Sequence, residues 1–160
     1  MQRLLRVFLL VAALAAALPA TGWAAEPDYS LLGTWQLDRA KSTFKPGPGL
    51  NGQVRKYERV GDAERLTSRG VDADGKSTIV RYLARYDGKD YPITGSAGGD
   101  LISLERIDDR TTRSTQKRGG KAVIVATRSV SEDGKTLTVT TKGTTAKGEA
   151  IDAVMVFDRR

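Results

Sequence analysis

The sequence predicts an all-β protein: an antiparallel up-and-down β-barrel of about eight to ten strands, preceded by a cleaved signal-peptide helix. Three observations predict it. Turn signals recur about every ten residues from position 53 to the end. Short β-branched or alternating runs lie between them. Past the N-terminus, nothing resembles a long amphipathic helix.

The N-terminus comes first. Arg3 and Arg6 form a short basic region, residues 7–18 are unbroken apolar, and Pro19 ends the run. Gly22-Trp23-Ala24 then places small residues at the two positions a signal peptidase reads. Cleavage after Ala24 is expected, with Ala25 the other choice. An uncleaved membrane anchor is the competing reading, but the run is shorter than the ~20 residues that span a bilayer. The chain therefore divides into a signal peptide, 1–24, and a barrel domain, 25–160. Removing Arg3 and Arg6 takes the net charge from +7 to +5. The product is expected in the periplasm or secreted.

Residues 25–30 read as a lead and 31–38 as a first strand, with Gly33, Trp35 and Leu37 on one face. Residues 39–44 read as one helical turn. Lys45-Pro46-Gly47-Pro48-Gly49 reads as a loop, because proline lacks the N–H that a helix or central strand needs. Further strands are expected near 53–60, 64–72, 77–86, 90–93, 100–107, 110–118, 121–131, 135–143 and 149–158. Asp74-Gly75-Lys76, Asp87-Gly88-Lys89 and Asp133-Gly134-Lys135 repeat one turn signal, in which glycine supplies the positive φ of a tight hairpin. An open sheet of ten strands would leave two exposed edges, and closure into a barrel removes them. A two-sheet sandwich is the main rival.

Alternation assigns faces in several strands. Thr78, Val80, Tyr82, Ala84 and Tyr86 share a face that looks interior. Ala122, Ile124, Ala126, Arg128 and Val130 share another, so a cation sits in phase with an apolar stripe. Ile151, Ala153, Met155 and Phe157 form a third. The strands at 110–118 and 135–143 carry Thr, Arg and Lys but few large apolar groups. Either the barrel interior is partly polar and partly hollow, or the core is small and poorly filled.

Composition excludes more chemistry than it suggests. With no Cys and no His, the 160 residues contain no disulfide, lipid-anchored cysteine, thiol nucleophile or imidazole base. No metal or other cofactor is implied. Asp108-Asp109 and Glu132-Asp133 flank turns, where carboxylates serve solvation, so no catalytic residue is assigned. The basic residues are scattered over every strand, which with export argues against a nucleic-acid partner. Contact with an anionic envelope surface remains open.

Gly33-Thr34-Trp35 resembles the G-x-W signature of lipocalins and related calycin barrels. That resemblance implies that Trp35 closes the barrel base beneath a basic side chain from near the last strand, here Arg159 or Arg160. A guanidinium over an indole is worth about 0.5–2 kcal/mol. The longer run from Gly33 through Phe44, the Tyr86-Asp87-Gly88-Lys89-Asp90-Tyr91-Pro92 segment and the stretch from Ser131 to Val139 are similar to small exported bacterial proteins described as lipocalin-like. Leu37-Asp38-x-x-Lys41-Ser42-x-Phe44 also resembles periplasmic isoprenoid-binding barrels, although those carry His where this chain has Lys41.

The expected function is a soluble, monomeric, non-catalytic barrel that binds a small hydrophobic or amphipathic ligand of fatty-acid or isoprenoid type. Tyr82 and Tyr86 would line the cavity and Arg128 would hold an anionic head. A buried Arg128 needs a carboxylate, a ligand anion or water; a register slip would instead turn it outward. Arg106, in phase with Ile102 and Leu104, raises the same question. Gly33, Trp35 and Arg159 would form the structural base. The alternative is an envelope interaction module with a closed core, binding protein or anionic glycan through its surface.

Overall fold

A computed structural model of the chain describes residues 30–160. The signal peptide expected over 1–24 lies outside the described residues. Ten strands follow one another: β1 (Gly33–Thr43), β2 (Gly52–Val60), β3 (Ala63–Val71), β4 (Ser77–Arg85), β5 (Tyr91–Thr94), β6 (Leu101–Arg106), β7 (Thr111–Arg118), β8 (Lys121–Val130), β9 (Thr136–Thr144) and β10 (Ala150–Arg159). Each pairs antiparallel with the next, and β1 pairs with β10, so the sheet closes on itself and no edge remains. The fold is an up-and-down barrel; the sandwich alternative is excluded. Among the described residues, no helix is long and apolar enough to cross a membrane.

The helical turn expected over 39–44 is not formed. β1 runs on to Thr43, with a register shift between Asp38 and Thr43. The polar side chains of this stretch bend the strand and cap its loose groups. The Asp38 carboxylate accepts the Lys41 N–H (3.2 Å), and the Ser42 hydroxyl donates to the Asp38 carbonyl (2.7 Å). Ser42 Oγ also accepts the Val156 N–H (3.0 Å), replacing a missing rung of the β1–β10 ladder. The segment is a bulge, which re-aims a strand without breaking the sheet.

The three Asp-Gly-Lys turns form as the sequence indicates, with Gly75, Gly88 and Gly134 at positive φ. Among the described residues only glycines take positive φ, so each aspartate stays on the ordinary side of φ space. A neighbouring Asp side chain closes the turn. Asp72 accepts the N–H groups of Asp74 and Lys76, and Asp133 accepts that of Lys135.

Strand alternation gives the barrel a polarity along its axis. One end, the base, carries the turns after β2, β4, β6 and β8 and the segment 30–32. The other end, the mouth, carries the loops after β1, β3, β5, β7 and β9. Toward the base the interior is filled: Trp35, Ala84, Leu104, Leu137 and Phe157 have no exposed surface. Toward the mouth the inward positions turn small and polar. β7 supplies Ser114 and Gln116, neither of them apolar, and β9 ends its apolar row at Val139 before Thr141. On these strands few side chains fill the interior, and space remains.

Candidate functional site

At the base, Gly33, Trp35 and Arg159 lie together. Trp35 donates its indole N–H to the Leu31 carbonyl (2.8 Å) and is fully buried. The Arg159 guanidinium lies 4.1 Å from the Trp35 ring centroid. It also donates to the carbonyls of Leu32 (2.7 Å) and Ser30 (2.6 Å). The register explains the approach, because Trp35 sits opposite Arg159 across the β1–β10 seam. Gly33 makes room. Its φ is +128°, and a Cβ there would stand 2.6 Å from Arg159 Nη1.

One layer above the base is a buried ionic cluster. Arg128 on β8 points inward and is 3% exposed; its partner is Glu64 on β3, 1% exposed. Arg128 Nη1 donates to Glu64 Oε1 at 2.9 Å and to the Tyr82 hydroxyl at 2.7 Å. Tyr82 in turn donates to Glu64 Oε1 (2.6 Å), and Tyr86 donates to Glu64 Oε2. The Tyr57 ring lies beneath the guanidinium, 5.5 Å from Arg128 Cζ to the centroid. A buried charge pair is tolerable when most of its remaining lone pairs and protons are occupied; the two tyrosines take up the Glu64 oxygens and Arg128 Nη1, while Arg128 Nε has no hydrogen-bond partner. Burial pushes the Tyr82 hydroxyl well above its usual range and Tyr86 upward too, with Arg128 opposing and Glu64 adding to the rise. For Arg128, burial acts downward, but Glu64 and the three surrounding tyrosines hold its proton more firmly than in water.

Above this cluster is a cavity of about 200 Å³. Its apolar wall is Val80, Ile93, Ile102, Ile124, Ala126 and Val139; its polar wall includes Gln53, Arg55, Ser68, Ser114, Gln116 and Thr141. Tyr82 and Arg128 form part of the floor. The 95–99 loop partly roofs it. Ser96 lines the cavity and donates to Gln116 Oε1 (2.6 Å), while Gly98 is buried so tightly that a Cβ would meet Ile124 Cδ1 at 2.4 Å. Among the described residues, no group of three or more Cys, His, Asp or Glu side chains is placed to hold a metal ion.

Of the three residues singled out from sequence as ligand-lining, Tyr82 and Arg128 face this cavity. Tyr86 lies behind them toward the base, beside Leu31 and Arg106, where its hydroxyl is committed to Glu64. Arg106 is half-buried there, with Cζ 5.1 Å from the Tyr86 ring centroid, and does not line the cavity. Sequence reading did not find Glu64, although Glu64, Leu66 and Ser68 alternate inward on β3. It also did not find Arg55, which shares the inward face of β2 with Gln53 and Tyr57. In both strands the signal was a charge in phase with one large apolar side chain.

Fold and site together define a closed, ten-stranded, up-and-down barrel with a filled base and a small, mixed-polarity cavity beneath its mouth. No protein-family model and no curated protein matches the chain. Solved structures do. The zebrafish ileal bile acid-binding protein, complexed with cholic acid, aligns with a TM-score of 0.50 at 12% identity, covering 82% of this chain and 99% of that chain. EF1p2_mFAP2b, bound to DFHBI, aligns with a TM-score of 0.46 at 14% identity, covering 82% and 94% respectively. At these identities the likeness is one of fold.

Proposed function

We propose that this protein is exported and binds a small apolar or amphipathic molecule in its interior cavity without transforming it. The observation that carries the reading is the cavity itself. About 200 Å³ of space lies over a floor whose buried charges are already paired. By volume it would hold about seven waters, and it falls just below the ~300 Å³ at which pockets for drug-sized molecules begin. Its occupant is therefore modest in size. Tyr82 and Arg128 face that occupant, and Tyr86 acts behind them by fixing Glu64. A barrel of the same fold is complexed with cholic acid, which supports an interior site as the functional one.

A closed-core interaction module would call for a filled interior and a clustered surface patch. The interior is not filled, since the cavity lies beneath the mouth, although the outer face of β3 and β4 does gather Arg65, Arg69 and Arg81 beside the exposed Ile79 and Leu83. The N-terminal segment with its basic, apolar and small-residue regions supports export. Native mass spectrometry of protein recovered from an exported preparation without detergent tests the reading. A discrete added mass, lost on organic extraction, is expected. A clean apo mass that stays unchanged after exposure to fatty acids and isoprenoids would overturn it.

A further inference from the structure

Two guanidinium groups reach the cavity, and they differ in one respect. Arg128 has its carboxylate. Arg55 has none: among the described residues all its partners are neutral. Gln53 Oε1 accepts from Arg55 Nε at 2.9 Å, the Tyr57 hydroxyl accepts from Nη1 at 3.4 Å, and Met155 Sδ lies 3.9 Å from Nη2. Beneath is the Phe157 ring, 4.8 Å from Cζ. Only the Nε contact is a good hydrogen bond; the two terminal nitrogens, the fork that grips a carboxylate, are loosely held. The cavity wall and the cluster behind it thus contain two fixed cations and one fixed anion.

A second observation points to the same place. Ser68 is 3% exposed, lines the cavity, and its hydroxyl has no hydrogen-bond partner. Buried hydroxyls are nearly always paired, because leaving one unmade forfeits its interaction with water. Ser68 stands directly opposite Arg55 across the β2–β3 ladder, and both side chains face inward. Directly opposed residues bring their side chains into contact range. An excess positive charge and an unused hydroxyl therefore meet on one wall, facing an apolar wall.

We propose that Arg55 and Ser68 form a head-group site that selects a monocarboxylate with a short apolar body, with Gln53 positioning the Arg55 fork. The inference rests on the ligand-binding reading above. The carboxylate would take the two terminal nitrogens of Arg55 and the Ser68 hydroxyl, and the chain would lie along Val80, Ile102 and Ile124. The cavity of about 200 Å³ has room for a body about the size of octanoate. Arg128 is not the selecting charge, because Glu64 already neutralises it.

The test is calorimetric titration of the full chain with octanoate and with octanol at neutral pH. Octanoate is expected to bind at least about tenfold more tightly, since charge-assisted hydrogen bonds to a guanidinium are the strong ones. Arg55→Gln is expected to bring octanoate down to the affinity of octanol, and Ser68→Ala to weaken octanoate about threefold to tenfold. Circular dichroism verifies the fold of each variant. Should Arg55→Gln fail to fold, Ser68→Ala carries the test, because it removes only one oxygen. Equal binding of octanoate and octanol, or variants that keep the octanoate preference, would overturn the head-group site and leave the ligand-binding reading standing. Binding of neither probe would overturn both.

Discussion

The two arginines of the interior teach more than either end of the barrel alone. Arg128 and Arg55 both project inward from strands, and both lie against aromatic rings. Arg128 sits low, where the interior is filled, and every charge there has a partner. Arg55 is only partly buried, beside the cavity, and has neutral company. Burial explains the difference. A charge sealed from water must be neutralised by the protein, whereas a charge beside an open space can be neutralised by what enters it. The lower half pairs its charges, and the cavity wall leaves the Arg55 fork loosely held.

Breaking the paired side should have the largest effect. Glu64→Gln leaves the Arg128 charge buried without compensation, and urea denaturation should show a loss of about 3–5 kcal/mol. A loss below about 1 kcal/mol would mean that the cluster is wetter than its geometry indicates.

Alkaline pH should attack the same cluster. Tyr82 and Tyr86 hold their protons to higher pH in the folded chain than in the unfolded one. Their stabilising contribution is therefore complete below pH ~10, the unfolded tyrosine value, and falls as pH rises beyond it. Each pH unit in that window removes about 1.4 kcal/mol per tyrosine. Near-ultraviolet absorbance should show these tyrosinates appearing together with unfolding. Ionisation of both tyrosines well before unfolding would contradict their burial.

Filling the two halves sharpens the contrast. Ala84 has no exposed surface and lies in the packed half, so Ala84→Leu should destabilise by about 1–3 kcal/mol through overpacking. Ala126 borders the cavity, so Ala126→Leu should leave stability level or raised while abolishing octanoate binding. Equal destabilisation by both would mean that the cavity wall cannot accept added volume. The smallest effect belongs to the outer surface: Lys56→Ala breaks an exposed ion pair with Glu58, and the urea midpoint should not move measurably.

Much of the fold was legible because strand alternation and turn chemistry are local. The Asp-Gly-Lys repeats punctuate the meander, and the phase of Tyr82, Arg128 and Phe157 is read from neighbours two residues away. The base was legible for a different reason: Gly33-Thr34-Trp35 resembles a known signature, and the β1–β10 register brings Arg159 opposite Trp35. The 39–44 segment misled. A run of Arg, Ala, Lys and Ser carries adequate helix propensity, and only the waiting edge of β10 converts it to a bulged strand.

By itself the sequence determined which side chains share a face in several strands, since a strand turns alternate residues to opposite faces. It also determined the absence of thiol and imidazole chemistry. It did not determine who stands across the barrel. Glu64 and Arg128 are 64 positions apart and on strands that are not neighbours in the sheet. Their meeting depends on closure of the sheet and on the stagger of ten registers, and no local pattern carries either. The same closure places Arg55 opposite Ser68, away from any carboxylate. The tertiary structure alone decided that one interior cation meets a carboxylate and the other only neutral groups, because neutralisation acts through space between side chains that chain order keeps apart.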